Sequence, residues 1–185
     1  MGGCWGWGRL AYGPMSDPVH LLVEIPKGSR NKYEWDEELQ AIKLDRFLFS
    51  SVVYPTDYGF IPRTDGEDGD PLDAMCLVSE ATFPGCVIPV KVIGLFKMLD
   101  DGEVDDKILC VPMQDPNWAS VDTLEDVSDQ LKAEISHFFA IYKGPEGKVV
   151  EVDGWYSRED ALETIAAARE RYHQRTGEGA VGADA

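Results

Sequence analysis

The sequence predicts a mainly β, α+β chain: a small closed antiparallel β-barrel followed by two α-helices in the C-terminal half. Three observations carry this. Short apolar runs of strand character fill the first two-thirds of the chain, punctuated by Gly, Pro, Asp and Ser. No strand alternates with a helix-length amphipathic stretch, which argues against a doubly wound parallel sheet. Helical spacing begins only beyond Asp126.

The predicted strands cover residues 20–25, 32–35, 41–47, 75–77, 87–99 and 107–113. The run over 87–99 is long for one strand, and Gly94 at its middle marks the bend or bulge that closes small barrels. The acidic segment Asp100-Asp101-Gly102-Glu103-Val104-Asp105-Asp106-Lys107 lies between two apolar runs and reads as a hairpin loop. Leu131, Ile135, Phe138 and Tyr142 then recur at helical spacing, with Asp126 or Ser128 as N-cap and Gly144-Pro145 as the stop. That leaves Tyr142 and Lys143 near the helix C-terminus. A second helix runs from about Ser157, with Asp160 completing a variant capping box, to about Arg175; Leu162, Ile165, Ala166 and Tyr172 form its apolar face.

A chain of 185 residues is long enough for one domain with a substantial core. Residues 1–15 read as a flexible N-terminal extension, 16–176 as the domain, and 177–185 as a disordered tail of small and polar residues. The net charge of −17 argues against nucleic acid as a partner, because backbone binding needs clustered Lys and Arg. No apolar run approaches the roughly 20 residues that span a bilayer, so no membrane partner is expected. Cys4, Cys76, Cys86 and Cys110 lack metal-type spacing, and the last three lie in apolar stretches. Free thiols and a cytoplasmic location follow.

The chemistry begins at Asp68-Gly69-Asp70-Pro71-Leu72-Asp73. In an extended chain Asp68 and Asp70 would point the same way. Two carboxylates about 4 Å apart repel by roughly 1 kcal/mol in water and more at a protein surface. A hard divalent cation would offset that; for this segment alone an acidic surface turn is the favoured reading. Lys32-Tyr33-Glu34, Asp45-Arg46, Tyr54 to Gly59, and Tyr142-Lys143 supply cations and phenols in separate pieces. Each piece alone fits a solvated surface, and Glu24 alone fits the wet face of a half-buried strand. Carboxylates for several cations, with Lys, Arg and Tyr for anionic oxygens, are together what metal-assisted phosphoryl transfer requires.

In this order, with Glu24-Ile25-Pro26 before and His137-Phe138-Phe139 after, these motifs resemble the soluble inorganic pyrophosphatases of family I in their prokaryotic form. The likeness runs over residues 19–155. It implies an OB-like five-stranded antiparallel barrel and Mg²⁺-dependent hydrolysis of inorganic pyrophosphate to two orthophosphates by a metal-activated water. Several Mg²⁺ would bind per site, with Mn²⁺ or Zn²⁺ as substitutes. The resemblance assigns Asp68, Asp73 and Asp105 as principal metal ligands, joined by Asp100 and Glu24. Asp70 becomes the general base; Asp105 is the second choice, since a carboxylate clamped to Mg²⁺ is a poor base. Lys32, Arg46, Tyr58, Lys107, Tyr142 and Lys143 would bind phosphate, with Glu34 and Tyr54 orienting them. A homohexamer built as a dimer of trimers is implied, with His137 at an interface.

The alternative of another class is a calcium-binding acidic-loop module without catalytic activity. Pro71 breaks the EF-hand spacing, and such a module leaves the Lys, Arg and Tyr pieces unexplained. An OB-fold nucleic-acid binder is opposed by the charge. A nucleotide phosphohydrolase would want a base-stacking aromatic platform, which no motif supplies.

Overall fold

The computed structural model describes residues 19–177; the predicted extension over 1–15 and, beyond Gly177, the predicted tail lie outside the described residues. Nine strands and two α-helices follow in order: β1 Val19–Ile25, β2 Asn31–Asp36, β3 Ala41–Phe47, β4 Asp57–Phe60, β5 Asp73–Cys76, β6 Val87–Asp100, β7 Glu103–Val104, β8 Lys107–Pro112, α1 Asp129–Ile141, β9 Val150–Tyr156 and α2 Arg158–Thr176. Five strands pair in a closed ring, β1-β4-β5-β8-β6 and back to β1. β9 and β7 extend the sheet from β6, and β2–β3 form a separate hairpin.

One pair departs from the all-antiparallel expectation: β5 and β8 run parallel, with Asp73 opposite Lys107. Parity requires it. Directions cannot alternate all the way round a ring with an odd number of strands, so at least one pair must run the same way. The consequence is functional, because the starts of β5 and β8 then lie on the same rim.

β6 holds the ring together by changing partners along its length. It pairs with β1 over Val87–Val90, with β8 as far as Phe96, and with β9 over Leu95–Asp100. The register slips between Val92 and Gly94, which is the bulge expected at Gly94. The Asp101-Gly102 turn has both central residues at positive φ, 50° and 88°, as a tight two-residue hairpin needs.

β5 and β8 are buried on both faces, which is why they read as unbroken apolar runs. Met75, Leu109 and Val111 join a cluster with Ile135, Phe138 and Phe139 of α1. Ala74, Cys76, Ile108 and Cys110 join a second cluster with Ala161, Ile165 and Ala168 of α2. Ser128 caps α1 through the Leu131 N–H, and Ser157 with Asp160 forms the capping box of α2. The buried face of α2 differs from the predicted one. Leu162 is exposed, and the small Ala161 and Ala168 face the sheet and let the helix pack closely.

Two glycines mark close approaches. A Cβ at Gly59 would stand 1.9 Å from the Leu22 carbonyl oxygen, and one at Gly94 would stand 2.4 Å from Leu124 Cγ. Leu124 can turn aside, whereas the β1 backbone cannot. Gly59→Ala is therefore expected to cost about 3 kcal/mol or more and Gly94→Ala about 1–3 kcal/mol. Urea midpoints of the two variants check the order; the reverse order would show that the β1–β4 crossing opens freely.

Candidate active site

Strand direction assembles the site. Asp73 and Lys107 begin the parallel β5 and β8, Asp100 ends the antiparallel β6, and Asp105 lies in the turn that leads into β8. Lys107 Nζ reaches Asp73 Oδ2 and Asp105 Oδ1, each at 2.7 Å, and Tyr58 Oη at 3.0 Å. The Tyr58 hydroxyl donates to the same Asp73 oxygen. Burial alone would drive the proton off Lys107; Asp73 and then Asp105 outweigh it and hold its pKa above the ordinary lysine value.

Aromatic packing fixes the phenols. Tyr54 meets Phe138 at 4.8 Å and Tyr58 at 5.3 Å, and Phe138 stacks on Tyr142 at 5.0 Å. Burial first, then nearby charges, raises the pKa of Tyr54, Tyr58 and Tyr142 well above the usual phenol value. All three remain protonated. Lys143, just past α1, pairs with Asp100.

The β2–β3 hairpin contributes a second cationic group. Lys32 and Arg46 face each other across the hairpin. Lys32 pairs with Glu34 and, at 3.4 Å, with Asp45; Arg46 pairs with Asp45 and, at 2.9 Å, with Glu146. Among the described residues the buried Arg46 Nε finds no hydrogen-bond partner, a donor left for an anion. Glu24 on β1 accepts the Trp35 N–H at 2.7 Å. Desolvation, opposed by that bond and reinforced by Asp73, pushes its pKa up to about 7.

The Asp68–Asp70 segment corrects one expectation. It is a turn, not an extended strand: Gly69 has φ 89°, and Asp68 Oδ1 accepts the Asp70 N–H at 3.0 Å. Asp68 and Asp70 are exposed at the turn. The Asp68 carboxyl is still raised above its usual pKa, by burial first and then by the charges of Asp70 and Asp105. A cleft lined by Asp68, Asp73, Asp105, Asp106, Lys97 and Arg171 lies beside it.

These donors suit a hard divalent cation. They are carboxylates with no cysteine or histidine among them, and the buried Asp100 Oδ1 has no hydrogen-bond partner among the described residues. Among the described residues no three of these side chains converge into a closed cage; Asp73 and Asp105 converge on Lys107 instead. Two contributors had no signal in residue spacing: Glu146, which joins Asp45 in holding Arg46, and Asp65, which accepts both prongs of Arg175. His137 is exposed on α1.

The family model described as Inorganic pyrophosphatase matches residues 21–173. A curated protein named inorganic pyrophosphatase from Methanosarcina acetivorans is 55% identical over 155 residues, covering 84% of this chain and 92% of that one. One from Streptomyces coelicolor is 50% identical over 158 residues, covering 85% and 97%. Among solved structures, the Thermus thermophilus inorganic pyrophosphatase superposes with a TM-score of 0.83 at 44% identity, over 87% of this chain and 94% of that one. That from Helicobacter pylori gives 0.85 at 35% identity, over 89% and 99%.

Proposed function

The chain belongs to the inorganic pyrophosphatase family, and from that premise we propose that its acidic rim hydrolyses inorganic pyrophosphate to two orthophosphates with Mg²⁺. It is an inorganic diphosphatase, a phosphoanhydride hydrolase. The observation that carries the reading is Lys107 at the rim, bound at once to Asp73, Asp105 and Tyr58. Substrate-binding cations and metal-binding carboxylates then share one hydrogen-bonded group. A calcium-binding module has no use for that arrangement.

Asp68, Asp73 and Asp105 would hold the divalent cations, with Asp100 and Glu24 adding ligands. Mg²⁺, when bound, supplies charge neutralisation and acidifies water for attack. The chain's own groups do the rest. Lys107, Lys143, Lys32 and Arg46 bind the phosphoryl oxygens, and the neutral Tyr58 and Tyr142 donate hydrogen bonds to them. Glu34 and Tyr54 orient these groups, as do Asp45 and Glu146. Asp70 serves as general base; exposed at its turn, it can reach a water with a carboxylate oxygen. Asp105 is held on Lys107 and stands second for that role. Mn²⁺ or Zn²⁺ would substitute for Mg²⁺. The cytoplasm is the proposed location, and free Cys76, Cys86 and Cys110 support it. Among the described residues no helix is long and apolar enough to cross a membrane.

Phosphate release from pyrophosphate tests the activity. It is expected with Mg²⁺ and lost with EDTA, with little action on ATP; robust release in metal-free buffer would overturn the mechanism. The base is tested by Asp70→Asn, expected to lower kcat by about 10² or more while Mg²⁺ affinity changes far less than in Asp73→Asn or Asp105→Asn. Equal loss of affinity in all three would move Asp70 among the ligands. The proposed homohexamer, with His137 at an interface, is tested by light scattering at micromolar concentration with Mg²⁺, where a monomer mass would refute it.

A further inference from the structure

The loop that carries Asp68, Asp70 and Asp73 is closed at its base and at its tip by its own bonds. At the base, Ile61 N–H donates to the Leu72 carbonyl at 2.9 Å. Thr64 Oγ1 donates to the Ile61 carbonyl at 2.6 Å and accepts the Leu72 N–H at 2.9 Å. At the tip, Gly66 N–H donates to the Asp70 carbonyl at 2.6 Å. Between these two closures stands Asp65, and its bonds all leave the loop for α2. Its N–H donates to the Ala168 carbonyl at 2.9 Å, its carbonyl accepts from Arg171 Nε at 2.8 Å, and its carboxylate takes Arg175 Nε and Nη2 at 2.6 and 2.8 Å.

The burial of this pair is one-sided. Asp65 is 5% exposed, whereas the Arg175 side chain is 61% exposed. An arginine reaching in from solvent to a buried carboxylate by two prongs fixes direction as well as distance. The same helix lines the cleft opposite Asp68, Asp73 and Asp105 through Glu163, Thr164 and Arg171. α2 is thus both a wall of the cleft and the anchor of the loop that faces it.

We propose that Asp65 is a positioning residue. Through Arg175 and Arg171 it fixes the 66–73 loop against α2, setting Asp68 relative to Asp73 and Asp105 and so the affinity for divalent cation. This rests on the reading of those carboxylates as ligands. The family motif supplies no part of the latch, since Asp65 stands outside the Asp68–Asp73 element.

The test uses the full chain without substrate, with free Mn²⁺ followed by its electron paramagnetic resonance signal. Asp65→Ala and Arg175→Gln are each expected to weaken Mn²⁺ binding about tenfold, the lower end of what losing an outer partner costs. The double variant should be no weaker than the worse single, because one latch is removed either way. Arg175→Lys, keeping charge but not the fork, should fall between. At saturating Mg²⁺ the KM for pyrophosphate should hold. Ser157→Ala, which loosens α2 at its far end, is the control for general destabilisation and should leave Mn²⁺ binding unchanged. The latch is overturned if Asp65→Ala and Arg175→Gln bind Mn²⁺ like the unaltered chain while Asp73→Asn does not, or if Ser157→Ala weakens binding as much as they do. Unchanged binding in Asp73→Asn would instead overturn the ligand reading beneath it.

Discussion

The buried ammonium of Lys107 is the constraint around which the rest is arranged. The side chain is 0% exposed, and an ammonium taken out of water costs several kcal/mol even after relaxation. Asp73 and Asp105 at 2.7 Å, with Tyr58 at 3.0 Å, offset that cost. Asp73 and Asp105 keep 28% and 19% of their side-chain surface, so the group is wet on one side only. Removing either partner from such a buried pair is worth about 3 kcal/mol at the lower end of the measured range. The group therefore locks four pieces of backbone together: β4, the start of β5, the start of β8 and the turn after β7.

That lock is possible only because the ring has five strands. Parity makes one pair parallel, and β5–β8 is that pair, so Asp73 and Lys107 are register partners at one rim rather than at opposite ends. The antiparallel β6 delivers Asp100 to the same rim, where Lys143 meets it from the end of α1. The aromatic cluster beneath holds the donors at fixed height. Tyr54, Tyr58, Phe138, Phe139 and Tyr142 interlock at centroid distances of 4.8–6.5 Å, so the phenols have little rotamer freedom left to lose when an anion arrives.

The fold was legible where pattern and burial agree. The long β6 with its break at Gly94, the two capped helices and the acidic hairpin turn all follow from local rules. β4 and β9 did not, for opposite reasons. β4 is Asp-Tyr-Gly-Phe, buried over its first three residues, but its Asp57 is a structural acceptor for Lys27 N–H and for Thr82 N–H and Oγ1. A strand with a buried carboxylate and a glycine reads as a turn. β9 contains Asp153-Gly154, and it pairs with β6 through a bulge of its own, where Asp153 is left unpaired between Gly154 opposite Lys97 and Val152 opposite Met98. In the site, the proposed phosphate- and metal-binding residues were legible as motif pieces. Those that hold them were not, because Glu146 and Asp65 lie far from Arg46 and Arg175 in sequence, and only the folded chain makes them neighbours.

Net charge gives poor guidance here, and the site explains why. Each of Lys32, Arg46, Lys107 and Lys143 is matched or outnumbered by carboxylates in direct contact: Glu34 and Asp45, Asp45 and Glu146, Asp73 and Asp105, and Asp100. Glu24, Asp68 and Asp70 add to the negative side. The side chains by themselves therefore make no positive pocket for a polyanion, and a group as charged as pyrophosphate meets as much repulsion as attraction from them. On the proposed reading, divalent cations on the carboxylates would reverse that sign and release the lysines and Arg46 from neutralising their neighbours. The same carboxylates that make the chain as a whole acidic would then make its cleft cationic, linking substrate affinity and metal occupancy through the charge they share.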